Sequence, residues 1–173
     1  MSGDFAIRRA VLGDREAVLG IAATGMREFG LEPDFHGLDA DLGLLGEERP
    51  GVVAEFVAAA DDAVCGSVVV TVKAEAIGKL SGLYVNPAHR GQGVGRALLK
   101  AAVDAGRSAG FARLYLETWG RMTTAVRLYE SSGWVRGEDL SASSGADRSY
   151  WLKLARLTPR STGRAPHADE RER

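Results

Sequence analysis

Apolar positions along this chain recur with two periods, and the change from one to the other falls at glycines, prolines and short acidic clusters. Residues 5–10 read as a short strand, with Phe5 and Ile7 apolar and Arg8 and Arg9 near its end. Asp14 then precedes Ala17, Val18, Ile21, Ala22, Met26 and Phe29, a helical spacing that predicts a first helix burying one stripe and stopped at Gly30. Periodicity is lost over 30–50, where glycine, proline and acidic residues gather, apart from a short helix predicted over 39–45. A loop of this size in a compact domain is usually functional, and it is read here as the rim of a substrate pocket. The β-branched runs 52–59 and 64–72, separated by Ala60-Asp61-Asp62-Ala63, predict a hairpin.

Strand-like residues 79–85 lead into Asn86-Pro87-Ala88-His89-Arg90-Gly91-Gln92-Gly93-Val94-Gly95-Arg96. Next comes a helix predicted to bury Val94, Leu98, Ala101, Ala102, Ala105 and Ala109 and to close at Gly110. Residues 112–118 form a clear strand, with Leu114 and Leu116 on one face and Arg113, Tyr115 and Glu117 on the other. Strand, helix and strand in this order make a right-handed crossover, so the two strands are expected to be parallel. A helix over 123–132 carries Val126 and Tyr129, and strands over 134–136 and 149–154 follow, joined by a polar loop. After Leu157 the chain turns to Pro, Gly, Arg and Glu without periodicity, so one domain over 1–157 and a disordered tail over 158–173 are expected.

Length and charge narrow the classes. A chain of 173 residues suits one domain, and a formal charge of -1 argues against a general nucleic-acid or anionic-membrane binder, since both need a basic face. The single cysteine, Cys65, allows no internal disulfide, and it reads as a core thiol. His36, His89 and His167 lack metal-ligand spacing, so no metal is expected. With no signal-peptide pattern and no run near the roughly 20 apolar residues that cross a bilayer, the expectation is a soluble, cytoplasmic protein.

The glycine-rich junction carries the first chemical signal. The first amides of a helix lack partners inside it, and the peptide dipoles place about half a positive charge there, so phosphate oxygens are favoured. Gly91, Gly93 and Gly95 allow a sharp turn and close backbone approach to a ligand, and Arg90 adds a charge-assisted contact at the rim. By itself the motif also fits a helix start that uses glycine only to turn. A dinucleotide fold is disfavoured because the junction comes late, after several strands, without an acidic ribose ligand at convincing spacing.

The order of parts is more specific. Arg90-Gly91-Gln92-Gly93-Val94-Gly95, placed after Leu83-Tyr84-Val85-Asn86-Pro87, resembles the Arg/Gln-x-x-Gly-x-Gly/Ala signature of the GNAT superfamily of acyl-CoA-dependent N-acyltransferases. Ala125-Val126-Arg127-Leu128-Tyr129-Glu130-Ser131-Ser132-Gly133-Trp134 resembles that family's Ala-x-x-Leu-Tyr-x-x-x-Gly-Phe segment. Phe29, Glu32, Asp34 and Leu116-Glu117-Thr118 resemble a bacterial subgroup of unassigned substrate.

This resemblance implies an α/β fold with a mixed sheet of six to seven strands, splayed between 79–85 and 112–118, with helices on both faces. It implies acetyl-CoA as co-substrate, its pantetheine arm on the backbone of Leu83, Tyr84 and Val85. The pyrophosphate would sit on the amides of Gly91, Gln92, Gly93, Val94, Gly95 and Arg96, with Arg90 beside it. The implied reaction is direct acetyl transfer to a primary amine, of a small molecule or a peptide, with Tyr129 protonating the departing thiolate. Many relatives carry a Glu base where Lys79 stands here, so Glu117 is the replacement expected, with Glu32, Asp34 and Glu75 behind it; Glu32 and Asp34 would also attract a cationic amine, and Phe29 would line the acceptor side. Met122 departs from the usual Asn as well. The Lys79 departure leaves open a non-catalytic acyl-CoA-binding or partner-binding module on the same fold, and the oligomeric state, a homodimer included, is open too.

Overall fold

The computed structural model describes residues 4–141 and 145–155. The tail expected over 158–173 lies outside the described residues.

Seven strands form one sheet in the order β1-β2-β3-β4-β5-β7-β6. The strands are β1 Ala6–Arg9, β2 Val52–Ala60, β3 Ala63–Ala74, β4 Ile77–Val85, β5 Arg113–Thr118, β6 Val135–Asp139 and β7 Arg148–Lys153. Helices α1 Arg15–Glu28 and α2 Ala40–Gly43 precede β2, α3 Val94–Ser108 bridges β4 and β5, and α4 Thr123–Ser131 follows β5. Every pairing is antiparallel except β4 with β5, the pair joined by the α3 crossover. The hairpin of β2 and β3 turns at Asp61 and Asp62, both with positive φ, a conformation that Asp tolerates better than most residues.

The sheet is apolar on both faces. On one, Val68, Val70, Leu80, Leu114 and Leu116 pack against Val94, Leu98, Leu99, Ala102 and Val103 of α3 and Val126 and Tyr129 of α4. On the other, Val57 and Val69 pack against Val18 and Ala22 of α1, with Leu42 and Leu45 from α2 and the turn after it. Strand β3 lies between these layers and is buried without interruption from Cys65 to Val70.

Two helical stripes differ from the periodicity reading. In α3 the buried positions are Val94, Leu98, Leu99, Ala102, Val103 and Gly106, while Ala109 lies past the helix end and is exposed. The larger Leu99 and Val103 bury more apolar area than Ala101 or Ala105, which sets the helix rotation. In α1 the face runs Val18, Ile21, Ala22, Gly25 and Met26, and Ala17 is exposed.

One irregularity positions the site. Between the pairs Ser67↔Tyr84 and Val69↔Ser81, β4 carries two residues, Gly82 and Leu83, opposite Val68 alone. Gly82 has φ of 61°, and its carbonyl accepts from Ser67 Oγ at 2.8 Å. A Cβ at Gly82 would stand 2.5 Å from Leu42 Cδ2, so glycine is required for conformation and for space. The β4–β5 pairing covers only Ile77↔Arg113, Gly78↔Leu114 and Lys79↔Tyr115. Beyond Lys79 the strands part, and the β5-facing backbone groups of β4 lose their ladder partners.

Candidate active site

Two adjoining cavities occupy the gap between β4 and β5. The larger, about 420 Å³, is lined by Leu83, Tyr84 and Val85 of β4, the 89–96 junction, Phe29, and Met122 to Leu128 at and after the start of α4. The smaller, about 30 Å³, is lined by Asp39, Lys79, Ser81, Tyr84, Glu117, Trp119 and Tyr129, among others. Leu83, Tyr84, Met122 and Ala125 border both.

The larger cavity gathers nearly all the residues that the sequence assigns to a cofactor: Leu83, Tyr84, Val85, Arg90, Gly91, Gly93, Val94, Gly95 and Arg96. Gln92 is not among its walls, and its side-chain amide donates to the Ala88 carbonyl at 3.3 Å. Gly93 precedes α3 with φ of 87°, and neither Gly91 nor Gly93 has a heavy atom within 4 Å of where a Cβ would stand. The approach to the first-turn amides of α3 is therefore open, as a diphosphate requires. His89 adds a buried Nδ1 that meets no hydrogen-bonding partner among the described residues, on the wall of the same cavity. Arg90 Nη1 donates to both carboxylate oxygens of Glu28 of α1, at 2.8 and 2.6 Å, which ties the rim of the junction to the first helix. These features fit the diphosphate and pantetheine of a coenzyme A thioester.

The smaller cavity gathers Asp39, Lys79, Glu117 and Tyr129 among apolar walls that include Met26, Leu38 and Leu80. Tyr129 is 5% exposed, and its hydroxyl has no hydrogen-bond partner among the described residues. Burial pushes its pKa well above that of a free phenol, with the negative charge of Asp39 adding to the effect, so Tyr129 holds its proton throughout the neutral range. Glu117 accepts from Tyr115 Oη at 2.9 Å on one oxygen and has Lys79 Nζ 3.7 Å from the other. Lys79 thus offsets the charge of Glu117.

Phe29 lines the larger cavity. Glu32 and Asp34 line neither cavity. Glu32 is 87% exposed at its side chain and pairs with Arg27 at 3.8 Å, and Asp34 Oδ1 accepts from the amides of His36 and Gly37 at 3.0 Å, closing a local turn.

Sequence reasoning missed Asp39, and it read Tyr84 only through its backbone. Tyr84 Oη donates to Asp39 Oδ2 at 2.6 Å, across 45 positions of sequence. Burial raises the Asp39 carboxyl above the ordinary Asp value, while the Tyr84 hydrogen bond and Lys79 pull it partly back. Among the described residues no group of three or more His, Cys, Asp or Glu side chains is arranged to hold a metal. No described helix is long and apolar enough to cross a membrane.

Comparison with known proteins supplies the remaining context. The model of the acetyltransferase (GNAT) family matches residues 23–134. The chain is 31% identical over 133 residues to the uncharacterized N-acetyltransferase YjgM of Escherichia coli strain K12, covering 73% of this chain and 80% of the relative. The crystal structure of an acetyltransferase of the GNAT family from Staphylococcus aureus Mu50 superposes with a TM-score of 0.76 at 18% identity, covering 88% of this chain and 100% of the other. The PaiA N-acetyltransferase of Thermoplasma acidophilum, solved in complex with coenzyme A, gives a TM-score of 0.72 at 16% identity, with 87% and 99% covered.

Proposed function

The chain belongs to the acetyltransferase (GNAT) family, and from that premise we propose that it transfers the acetyl group of acetyl-CoA to a primary amine by direct attack within a ternary complex. The observation that carries this reading is the junction of the two cavities. They meet at Leu83, Tyr84, Met122 and Ala125, so a thioester lying along β4 and an amine entering the polar end would come together beside Tyr129. In this reading the amides of 91–96 take the pyrophosphate, with Arg96 and His89 at the same wall. The backbone of Leu83 to Val85, freed from β5, takes the pantetheine arm. Phe29 closes the cleft from α1.

An alkylammonium of pKa near 10.4 costs about 4.6 kcal/mol to deprotonate at pH 7. Carboxylates at this end of the cleft lower that cost, and Glu117 supplies negative charge there even with Lys79 nearby. Once the amine nitrogen has attacked, the C–S bond breaks and the thiolate needs a proton. Tyr129 lines the cavity and keeps its proton at neutral pH, so in this reading it is the group that gives that proton. The charged, locally bonded Glu32 and Asp34 act, in this reading, at a distance, favouring the approach of a cation.

Replacing Tyr129 by Phe tests the assignment. We expect kcat to fall about 100-fold, the lower range for a general acid, with acetyl-CoA affinity by calorimetry unchanged. An unchanged kcat removes Tyr129 as the acid, and a parent protein that does not bind acetyl-CoA removes the whole reading.

A further inference from the structure

Asp39 is 4% exposed and lines the smaller cavity. Its Oδ2 accepts from Tyr84, and its Oδ1 accepts from no group among the described residues. The titratable groups around it are Tyr84 and Lys79 of β4, Asp41 of α2, Asp34 of the loop before it, Glu117 of β5 and Tyr129 of α4. Lys79 is the one cation of this set, and its ion-pair contact is with Glu117, not Asp39. Asp41 is engaged by Ser81 Oγ at 2.8 Å and by Arg49 at 3.5 Å. A buried carboxylate with an open oxygen and no paired cation is costly, and the cost is relieved when a ligand brings a cation with N–H donors.

We propose that Asp39 is the general base of the acetyl transfer: its open oxygen takes a proton from a primary alkylammonium seated in this cavity, and Tyr84 is the positioning residue that fixes the carboxylate. The assignment rests on the acetyl-transfer reading above and names the acceptor end of the same site. Glu117, with both oxygens engaged by Tyr115 and Lys79, then orients the ammonium without receiving its proton. The cavity of about 30 Å³ has room for one or two water-sized groups, so the ammonium and its first carbon enter while the rest of the acceptor lies outside.

The steps balance. Asp39 takes one proton from R–NH₃⁺, and the freed lone pair forms the C–N bond at the thioester carbonyl. The C–S bond then breaks with its electron pair on sulfur. The Tyr129 hydroxyl protonates the sulfur and is restored by a proton from the new amide nitrogen. The products are the amide, the free thiol and a protonated Asp39, which returns its proton to solvent. Desolvation of Asp39 favours its protonated form, which brings it closer to the amine it must deprotonate.

The test compares Asp39→Asn, Tyr84→Phe and Glu117→Gln by kcat against pH, with acetyl-CoA calorimetry on each variant as a check that the cofactor cleft is intact. We expect Asp39→Asn to lose about 100-fold in kcat together with the acid limb of the profile. Tyr84→Phe removes a hydrogen bond that stabilises the charged carboxylate, so the acid limb should move to higher pH. Glu117→Gln should raise the KM for amine and leave the limb in place. An Asp39→Asn enzyme within about threefold of the parent and with its acid limb intact overturns the proposal. A parent that binds acetyl-CoA yet acetylates no amine removes the acetyl-transfer reading instead. In that case, carbon NMR of the Asp39 carboxyl decides. Saturating n-propylamine should lower the midpoint of its titration, and an unmoved midpoint overturns the ammonium site.

Discussion

At Asp39, function and stability pull in opposite directions. Burial raises its folded-state pKa, so between the ordinary Asp value, about 3.9, and that raised value the folded protein holds more protons than the unfolded one. Stability contributed by this residue therefore falls as pH rises through the window, and the full penalty is present above it. Asp39→Asn keeps an acceptor for Tyr84 and removes the charge. It should thus raise the melting temperature at pH 8, with the gain shrinking to nothing below about pH 4. Calorimetric melting of both proteins across that range checks this, and a variant less stable than the parent at pH 8 would contradict it. Nothing local in sequence marks Asp39. It stands among several acids of an aperiodic loop, and what distinguishes it is a hydroxyl 45 positions away and the closure of α1 and α2 over the sheet. Glu117 and Tyr129 were legible because each sits at a defined place in a periodic element next to a motif. Glu32 and Asp34, read from the same loop as Asp39, lie instead on its outer surface.

The decisive element is β4. Its first three residues pair with β5, its bulge at Gly82 turns the rest away, and that divergence creates both cavities. Gly82→Ala would force a side chain onto a backbone with φ of 61° and against Leu42, so we expect a loss of about 1–3 kcal/mol in denaturant unfolding. The same variant should weaken acetyl-CoA binding, because the bulge sets the path of Leu83 to Val85. Full stability with unchanged binding would show that the bulge does not matter. The crossover of β4, α3 and β5 was readable from period alone, since strand and helix spacing are local properties. The strand ends and the rotation of α3 were less so, since Leu99 and Val103 are chosen over neighbouring alanines by the tertiary packing they meet. The glycine junction was readable as an anion seat from its chemistry, but its pairing to α1 through Arg90 and Glu28 spans 62 positions and has no local signature.

Across the whole molecule, the two apolar layers and the splayed sheet divide the work. The layer under α3 and α4 supports the glycine junction and presents Tyr129, while the layer under α1 and α2 brings Asp39 and Phe29 over the opposite side of the cleft. In the proposed reaction a thioester along β4 and an amine in the smaller cavity would meet where the two cavities adjoin, which suits a ternary complex better than a covalent relay. The lone thiol agrees, since Cys65 is buried within the core and desolvation raises it further from the thiolate form. The central claim is most directly tested by incubating the full chain with acetyl-CoA and a panel of primary amines, following thiol release and product mass together. Each amine that gains one acetyl group should release one free thiol, and no thiol should appear without amine. Acetyl-CoA bound with no amine acetylated, or thiol released without an acetylated product, would contradict it.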